Sequence, residues 1–162
     1  MRLIWNLLVL AMLPVFVAAA LLPGRRTRFV WGSSPLINNK YWSEAIREGG
    51  RDSVTMMGGY YASINRREDF DLYFQDFAPA RLPRTLRMGI GTCLGFLYVL
   101  RRARVLHTSF EGFALGRSAL WRLEAPLLKL AGIRTIVLPY GADFFVYSRV
   151  DDTSTRHALL AS

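Results

Sequence analysis

The 162-residue sequence predicts an α/β domain with a Rossmann-like, mainly parallel sheet flanked by helices and preceded by one transmembrane helix. Short apolar runs that end in loops of small residues alternate at least three times with longer helical runs, which is typical of this fold class. An apolar stretch at the amino terminus is also long enough to cross a bilayer. We therefore expect an anchor over residues 1–24 and one α/β domain over residues 25–162.

The amino-terminal stretch from Leu3 to Leu22 contains 20 residues, of which only Asn6 has a polar side chain. A helix of that length covers the hydrocarbon core of a bilayer. Three arginines follow within residues 25–28, and positive flanks stay on the cytoplasmic side. This asymmetry predicts a single-pass protein of a bacterial inner membrane, with its soluble domain in the cytoplasm.

A cleaved signal peptide is the alternative interpretation of the same stretch. Arg2 supplies a charged start, and Ala18-Ala19-Ala20 supplies small residues suited to cleavage. The anchor is favoured because the apolar core is longer than the roughly 7 to 15 residues of a signal peptide.

Charge and cysteine content limit the classes of partner. Lys and Arg number 21 against 12 Asp and Glu, which gives a net charge of +9. The basic residues are scattered over several predicted elements instead of clustering on one, so we expect no nucleic-acid partner. Cys93 is the only cysteine, so neither a disulfide framework nor a thiolate metal site is expected, and we assign no metal ligands.

The first strand is predicted at Phe29–Trp31, followed by a loop of small residues and a helix over Lys40–Glu48 capped by Asn38 or Asn39. The unpaired N–H groups and dipole of a helix start favour anions. Gly32, Ser33, Ser34 and Asn38 are therefore candidate substrate-binding residues. The loop lacks both the G-x-G-x-x-G dinucleotide fingerprint and the P-loop motif.

The middle of the chain predicts a strand at Ser53–Met57, a short strand around Asp71–Phe74 and a helix within Leu86–Leu100. Only 13 uncharged residues, from Met88 to Leu100, lie between flanking arginines, which is too short to span a bilayer. We expect a buried or membrane-surface helix, in which the glycines at 89, 91 and 95 permit close packing.

The last elements are a strand at Arg104–Ser109, a helix over Leu115–Ala131 and a strand at Thr135–Leu138. Leucines at spacings of three and four indicate the helix, with a kink caused by Pro126 and a cap at Gly132. The final strand has no polar residue between 135 and 138 except Thr135, so we expect it to be covered on both faces.

Candidate catalytic residues follow the last two strands, because ligands of parallel sheets bind beyond the carboxyl ends of the strands. His107 falls at the end of one strand with Glu111 shortly after it, and Gly141 with Asp143 follows the other. We expect His107 and Asp143 to face a shared cleft with the 32–38 loop, with Glu111 and Gly141 contributing to binding. The alternative for His107 is a structural role, and for Gly-x-Asp a turn closed by an Asx hydrogen bond.

Three co-linear segments carry a family resemblance. They are WGSSPLINNKYWSEAIREGG after the first strand, FDLYF, and VLHTSFEGFALGRSALWRLEAPLLKLAGIRTIVLPYGADFFVYSR. In this order, from about residue 28 to 152, they resemble the amino-terminal domain of GT-B fold nucleotide-sugar glycosyltransferases, particularly the bacterial membrane-anchored members. The first loop departs from the family pattern, because it reads Gly-Ser-Ser-Pro and lacks the paired glycines of many members.

The resemblance implies two Rossmann-like domains, of which this chain contains only the first, acceptor-side domain. It implies a glycosyltransferase half that is inactive without a second domain and has no cofactor in this chain. The donor of the complete enzyme would be a nucleotide sugar, and the acceptor a membrane-associated or cell-envelope glycan or a lipid-linked acceptor. Expected partners are membrane lipid, that acceptor and, through the second domain, the nucleotide sugar. Two alternatives are a fragment of a longer gene and a membrane-anchored, single-domain binding or accessory protein without catalysis.

Overall fold

The computed structural model describes residues 2–139 and 152–154, and it contains a five-stranded, all-parallel sheet. The strands are β1 (Arg28–Ser33), β2 (Ser53–Met57), β3 (Leu72–Tyr73), β4 (Ala103–Thr108) and β5 (Arg134–Val137). Their spatial order is β3-β2-β1-β4-β5, so the direction of winding reverses between β1 and β4. The predicted α/β fold class is confirmed.

Helices flank the sheet on both faces. They are α1 (Arg2–Leu21), α2 (Ile37–Glu48), α3 (Arg84–Arg102) and α4 (Glu124–Leu130). Short 3-10 turns occur at Arg67–Asp69, Phe74–Phe77, Leu115–Arg117 and Trp121–Leu123. α2 contacts β1 and β2 on one face, whereas α1, α3 and α4 pack together on the other, with α1 touching both of its neighbours.

Alternation along the strands assigns the side chains to two faces. Val30 in β1 and Leu106 in β4 belong to the main core with Phe16 of α1 and Phe96 of α3. Trp31, next to Val30, points to the opposite face, where its ring packs 5.5 Å from that of Trp42 on α2. The larger apolar core therefore lies between the sheet and the α1–α3–α4 layer.

α1 runs parallel to α3 along its whole length. Leu8 lies 2.6 Å from the point where a side chain on Gly89 would begin, and the rings of Phe16 and Phe96 meet edge to face at 5.1 Å. At the carboxyl ends, Arg26 donates from Nε to the Leu100 carbonyl of α3 at 2.9 Å. The same side chain donates through Nη2 to three carbonyls at the end of α1. One guanidinium thus satisfies the ends of both helices.

α1 is the one helix among the described residues that is long and apolar enough to cross a membrane. Signal sequences and core helices of soluble proteins share that property, so length and composition alone do not establish topology. In this structure, 28% of the apolar span is buried inside the protein. α3 was expected to be either a buried or a membrane-surface helix, and one side of it is buried in the domain. Gly91 and Gly95 lie against Phe74, as expected for glycines that permit close packing.

The short strand β3 is fixed to β2 by a reciprocal set of hydrogen bonds. Asp71 Oδ2 accepts from the backbone N–H of Thr55 at 2.8 Å and from its hydroxyl at 2.9 Å, while the Thr55 hydroxyl accepts from the Asp71 N–H at 2.8 Å. Burial alone would raise the pKa of Asp71, but these bonds and the guanidinium of Arg47 lower it below its usual value.

Two sequence-based boundaries are wrong, and proline and local capping explain why. The predicted helix over Leu115–Ala131 is limited to α4, with two 3-10 turns before it. Pro126 occupies the third position of α4, where its missing N–H breaks no hydrogen bond, so it marks the helix start instead of a kink. α2 begins at Ile37 with Leu36 as its N-cap residue, and the Asn39 amide instead donates to the Ser34 carbonyl at 3.0 Å.

β5 also differs from the expectation of a strand covered on both faces. All four of its residues are exposed, with Ile136 and Val137 each 42% accessible. β5 pairs only with β4 at an edge of the described sheet, and the helices pack mainly over the strands nearer its centre. Gly132, in contrast, ends α4 as predicted, with φ +69 and an N–H donated to the Lys129 carbonyl.

Candidate functional site

A cleft of about 560 Å³ lies at the carboxyl edge of the sheet. Loops after four strands form it, together with residues from the amino-terminal halves of α1 and α3. The lining residues are Ser33 at the end of β1, Ser34 and Pro35 after it, Gly58–Tyr61 after β2, Phe74 after β3, residues 111–114, 116 and 117 after β4, Trp5 of α1, and Met88 and Thr92 of α3. It covers the point between β1 and β4 where the sheet reverses its winding, the usual ligand position in open α/β sheets.

The chemistry of the lining is mixed. Trp5, Tyr60 and Tyr61 provide aromatic surface, and both tyrosines are exposed. Hydroxyls come from Ser33, Ser34 and Thr92. Glu111 and Arg117 supply one exposed carboxylate and one exposed guanidinium, and neither forms a salt bridge within the part of the chain that the structure describes.

The loop after β4 owes its shape to a buried carboxylate at the start of α4. Glu124 Oε1 accepts from the N–H of Phe113 at 2.6 Å, and Oε2 accepts from the N–H groups of Ala114 at 2.8 Å and Leu115 at 2.6 Å. Glycine at position 112 lets the Glu124 carboxylate lie close to the backbone, because a side chain there would begin 3.0 Å from Oε1. Its φ of +84 is also a left-handed conformation, which favours glycine. Four consecutive residues are thereby held against one side chain.

This loop is also tied to α1. The side-chain oxygen of Asn6, the single polar residue of the apolar stretch, accepts the backbone N–H of Ala119 at 2.8 Å. Phe113 is buried and meets the ring of Phe74 edge to face at 5.4 Å. The wall of the cleft is thus built from α1, the Phe74 turn and the β4 loop together.

His107 occupies the opposite face of the sheet from α1 and α3. Its ring stacks on Trp31 at 3.7 Å with an interplanar angle of 5°. Burial lowers the pKa of His107, and a hydrogen bond with the Val30 backbone offsets part of that effect. The imidazole is therefore neutral near pH 7.

Three consecutive residues at the end of β4 and just after it have buried polar groups. His107 Nδ1, Thr108 Oγ1 and Ser109 Oγ have no hydrogen-bond partner among the residues that the structure describes. Asp143 and Gly141, which the sequence places after the neighbouring strand, lie outside the described residues, so the expected approach of His107 and Asp143 stays a prediction.

The predicted binding residues separate into two groups. Ser33, Ser34 and Glu111 line the cleft. Gly32 precedes them inside β1, and Asn38 is exposed in the first turn of α2; neither is part of the lining. His107 likewise lies outside the lining. These placements leave the proposed roles as predictions.

Sequence reasoning missed several residues of the site. Tyr60 and Tyr61 follow the glycine pair that ends β2, and that pair was the signal for a loop at the sheet edge. Glu124 is the only acidic residue between positions 112 and 142, set in an otherwise apolar run. Trp5 lies inside a stretch interpreted as a membrane anchor or a signal peptide, so no sequence signal pointed to the cleft.

No family model, curated protein or solved structure matches this chain. The chemistry must therefore be argued from the site alone. Within residues 2–139 and 152–154 there is no cluster of three or more His, Cys, Asp or Glu side chains suited to hold a metal ion.

Aromatic faces beside short hydroxyls and single charges suit a polyhydroxylated ligand. The apolar C–H faces of a sugar ring pack on tyrosine and tryptophan, whereas its hydroxyls exchange hydrogen bonds with serine, threonine, carboxylate and guanidinium groups. The cleft volume of about 560 Å³ is within the usual range for small-ligand sites. The described part of the cleft thus combines aromatic, hydroxyl and charged groups in one place.

Proposed function

We propose that this chain is the acceptor-side half of a nucleotide-sugar glycosyltransferase that acts on a membrane-associated glycan or lipid-linked acceptor. The observation that carries the proposal is the cleft at the winding reversal of a parallel sheet, lined by Trp5, Tyr60 and Tyr61 together with hydroxyl groups. The GT-B resemblance of the sequence supports the same assignment. Transfer requires a second domain that binds the nucleotide sugar.

In this proposal the cleft positions the acceptor. Tyr60 and Tyr61 stack on the sugar ring, and the hydroxyls of Ser33 and Ser34 fix its orientation. Glycosyl transfer needs an acceptor hydroxyl aligned with the anomeric carbon of the donor, so orientation by the rigid ends of a sheet is the contribution that this half makes. His107 and Asp143 are kept as candidate catalytic residues of the complete enzyme.

The proposed location is the cytoplasmic side of a bacterial inner membrane. Arg25, Arg26 and Arg28 follow the apolar helix, and basic residues next to a membrane segment are attracted to the anionic lipids of the cytoplasmic leaflet. The sequence predicts that α1 attaches the protein to the membrane by crossing it once. Crossing would require α1 to leave its contacts with α3 and the Asn6–Ala119 hydrogen bond.

A binding or accessory protein without catalysis is the second candidate. The observation in its favour is that the described cleft contains a single carboxylate, that of Glu111, and a single guanidinium, that of Arg117. A donor diphosphate is negatively charged, and Arg117 is the single cation that the described lining offers to it. The two candidates share saccharide binding and differ in whether transfer follows.

Saccharide binding is tested with the full chain in detergent micelles or nanodiscs, by titration with soluble and lipid-linked saccharides. Tyr60→Ala and Tyr61→Ala should each weaken binding about tenfold, the scale of one aromatic stacking contact. Tyr41→Ala is the matched control, because Tyr41 is exposed on α2 and lies outside the cleft. Equal affinity in all three variants, or no saccharide binding at all, would contradict the proposal.

Incubation of the chain with nucleotide sugars and the bound saccharide then separates the two candidates. We expect no transfer by the chain alone. Transfer after addition of a nucleotide-sugar-binding domain encoded downstream, or by a partner polypeptide, supports the glycosyltransferase half. Saccharide binding with no transfer under any such supplement supports the accessory protein.

A further inference from the structure

The outward surface of α1 is an exposed apolar surface that takes no part in the cleft. Inward-facing residues Val9, Phe16 and Ala20 are buried against the domain. Every exposed position of the segment from 3 to 22 is apolar, including Leu3 at 69% accessibility, Leu10 at 57% and Leu21 at 63%. At 1.5 Å per residue the exposed strip is roughly 30 Å long. A helix that is apolar all round requires a nonaqueous environment on both sides, and the described residues provide only one.

The inward side of α1 contacts the domain at several points, unlike an anchor that is free of its domain. Asn6 accepts the Ala119 N–H, Phe16 packs on Phe96, and Arg26 joins the carboxyl ends of α1 and α3. These contacts occur at the beginning, middle and end of the helix. While they persist, α1 lies flat on the domain and only its outward strip is free to meet lipid.

Exposed cations and an aromatic ring lie just past α1, on α4 and in the turn that precedes α4. Arg25 is exposed just past its carboxyl end, and α4, which packs beside α1, carries exposed Lys129. Next to α4, Trp121 is 54% accessible with the Arg122 guanidinium over its ring at 5.3 Å. An apolar strip with an exposed tryptophan and basic residues on neighbouring segments matches a bilayer interface with anionic headgroups.

The same charges disfavour a second copy of this chain as the occupant. A twofold interface would use the same surface of both chains, so it would bring together two surfaces that each carry exposed basic residues. Each chain also has a net charge of +9, which opposes self-association. Charge complementarity therefore selects an anionic membrane surface.

We propose that α1 stays packed on the domain and lies in the plane of a membrane that contains anionic lipid, with its outward strip in the acyl boundary and Trp121, Arg122 and Lys129 at headgroup level. Trp5 then brings the cleft to the membrane surface. The proposal shares its membrane partner with the proposed function but does not depend on sugar transfer.

Binding to lipid vesicles tests whether the outward strip of α1 contacts a membrane. Full-length protein is released from detergent in the presence of sealed phosphatidylcholine vesicles, with or without phosphatidylglycerol, and floated on a gradient. Leu7→Glu and Leu10→Glu should each weaken binding more than tenfold, since a charge would enter the acyl boundary. Ile64→Glu is the matched control, because Ile64 is 74% accessible in the loop between β2 and β3. If Leu10→Glu does not fold by circular dichroism, Leu10→Gln replaces it.

Charge reversal tests the headgroup contacts. The double variant Arg122→Glu, Lys129→Glu should lose about tenfold or more of its preference for phosphatidylglycerol vesicles, since each basic residue near an anionic surface contributes to attraction. Arg66→Glu is the control, because Arg66 is exposed in the 3-10 turn region before β3 and distant in sequence from α1 and α4. Equal loss in Arg66→Glu would show a nonspecific effect of net charge and overturn the assignment of Trp121, Arg122 and Lys129 to the interface.

Sided labelling separates a helix in the membrane plane from one that crosses. In a Cys93→Ser background, Leu3→Cys and Leu22→Cys place thiols at the two ends of the strip. In the proposed arrangement a membrane-impermeant maleimide outside the vesicles gives the same labelling at both ends. Labelling of one end only indicates a crossing helix and overturns the proposal.

Dimerisation without vesicle binding overturns the proposal as well, in favour of a second copy of the chain. Vesicle binding without saccharide binding would leave this inference standing and count against the proposed function alone.

Discussion

Removing the Glu124 carboxylate should destabilise the protein strongly through the loop after β4. Glu124→Ala leaves three buried donors, the N–H groups of Phe113, Ala114 and Leu115, without the acceptor that they reach at 2.6 to 2.8 Å. Each unsatisfied buried N–H costs about 1–3 kcal/mol. The costs do not add fully, because the loop can turn towards the cleft and recover water. We expect a loss of about 3–5 kcal/mol in the free energy of unfolding.

Urea unfolding of the full chain in detergent micelles, followed by tryptophan fluorescence, measures this loss. Glu111→Ala is the matched control: it removes the same charged group from the same loop, but Glu111 is exposed, so a change within about 0.5 kcal/mol is expected. Glu124→Gln should fall between them, since its single carbonyl oxygen can serve only part of the three donors. Hydrogen exchange of residues 113–115 should rise in parallel.

Equal stability of Glu124→Ala and Glu111→Ala would refute the argument that three charged hydrogen bonds fix the loop. A large loss in Glu124→Ala without faster exchange at 113–115 would place the effect elsewhere, for example in the start of α4. Saccharide affinity adds a functional measurement, because Phe113 and Ala114 line the cleft. Weaker binding by the folded Glu124→Gln variant is the expected result.

Two further predictions concern ionisable groups. Burial lowers the pKa of His107 below its ordinary value, so the unfolded chain takes up a proton first and stability should fall as pH drops through about 6.5 towards the folded pKa. The urea concentration at the unfolding midpoint should decrease from about pH 7.5 to about pH 5.5. His107→Gln should flatten this part of the pH profile. The same profile in the wild type and the variant would contradict the lowered pKa of His107. Burial also raises the pKa of Cys93 to about 11, so at pH 8 only about one thiol in a thousand is ionised. Labelling of Cys93 by a disulfide reagent should therefore follow unfolding in urea, and rapid labelling of the native protein would count against its burial.

β1, β2 and β4 were predictable because each is a short, mostly apolar run that small residues end or follow. β2 matches its predicted bounds from Ser53 to Met57, and β4 is displaced by one residue from the expected Arg104–Ser109. The helix before β5 was not predictable from leucine spacing alone. Its leucines are periodic, but Pro126 and the hydrogen bonds of Glu124 to the preceding loop stop the helix from extending towards Leu115.

The site was harder to predict than the fold, because its walls join segments distant in sequence. A carboxyl-edge cleft followed from the parallel sheet, and Ser33, Ser34 and Glu111 do line one. The contact between Asn6 and Ala119 spans 113 positions, and hydropathy cannot reveal it. An apolar stretch of 20 residues has the same composition whether it meets lipid on all sides or on one.

The placement of α1 connects the two proposals physically. Parallel strands and antiparallel helices put the amino-terminal ends of α1 and α3 at the carboxyl edge of the sheet, where Trp5 and Met88 border the cleft. The exposed strip of α1 begins beside the same edge, at Leu3. A ligand with a polar head in the cleft and a lipid tail in the bilayer would thus need no apolar tunnel through the protein. A soluble saccharide lacks that tail, so the lipid-linked form should gain affinity only when vesicles are present.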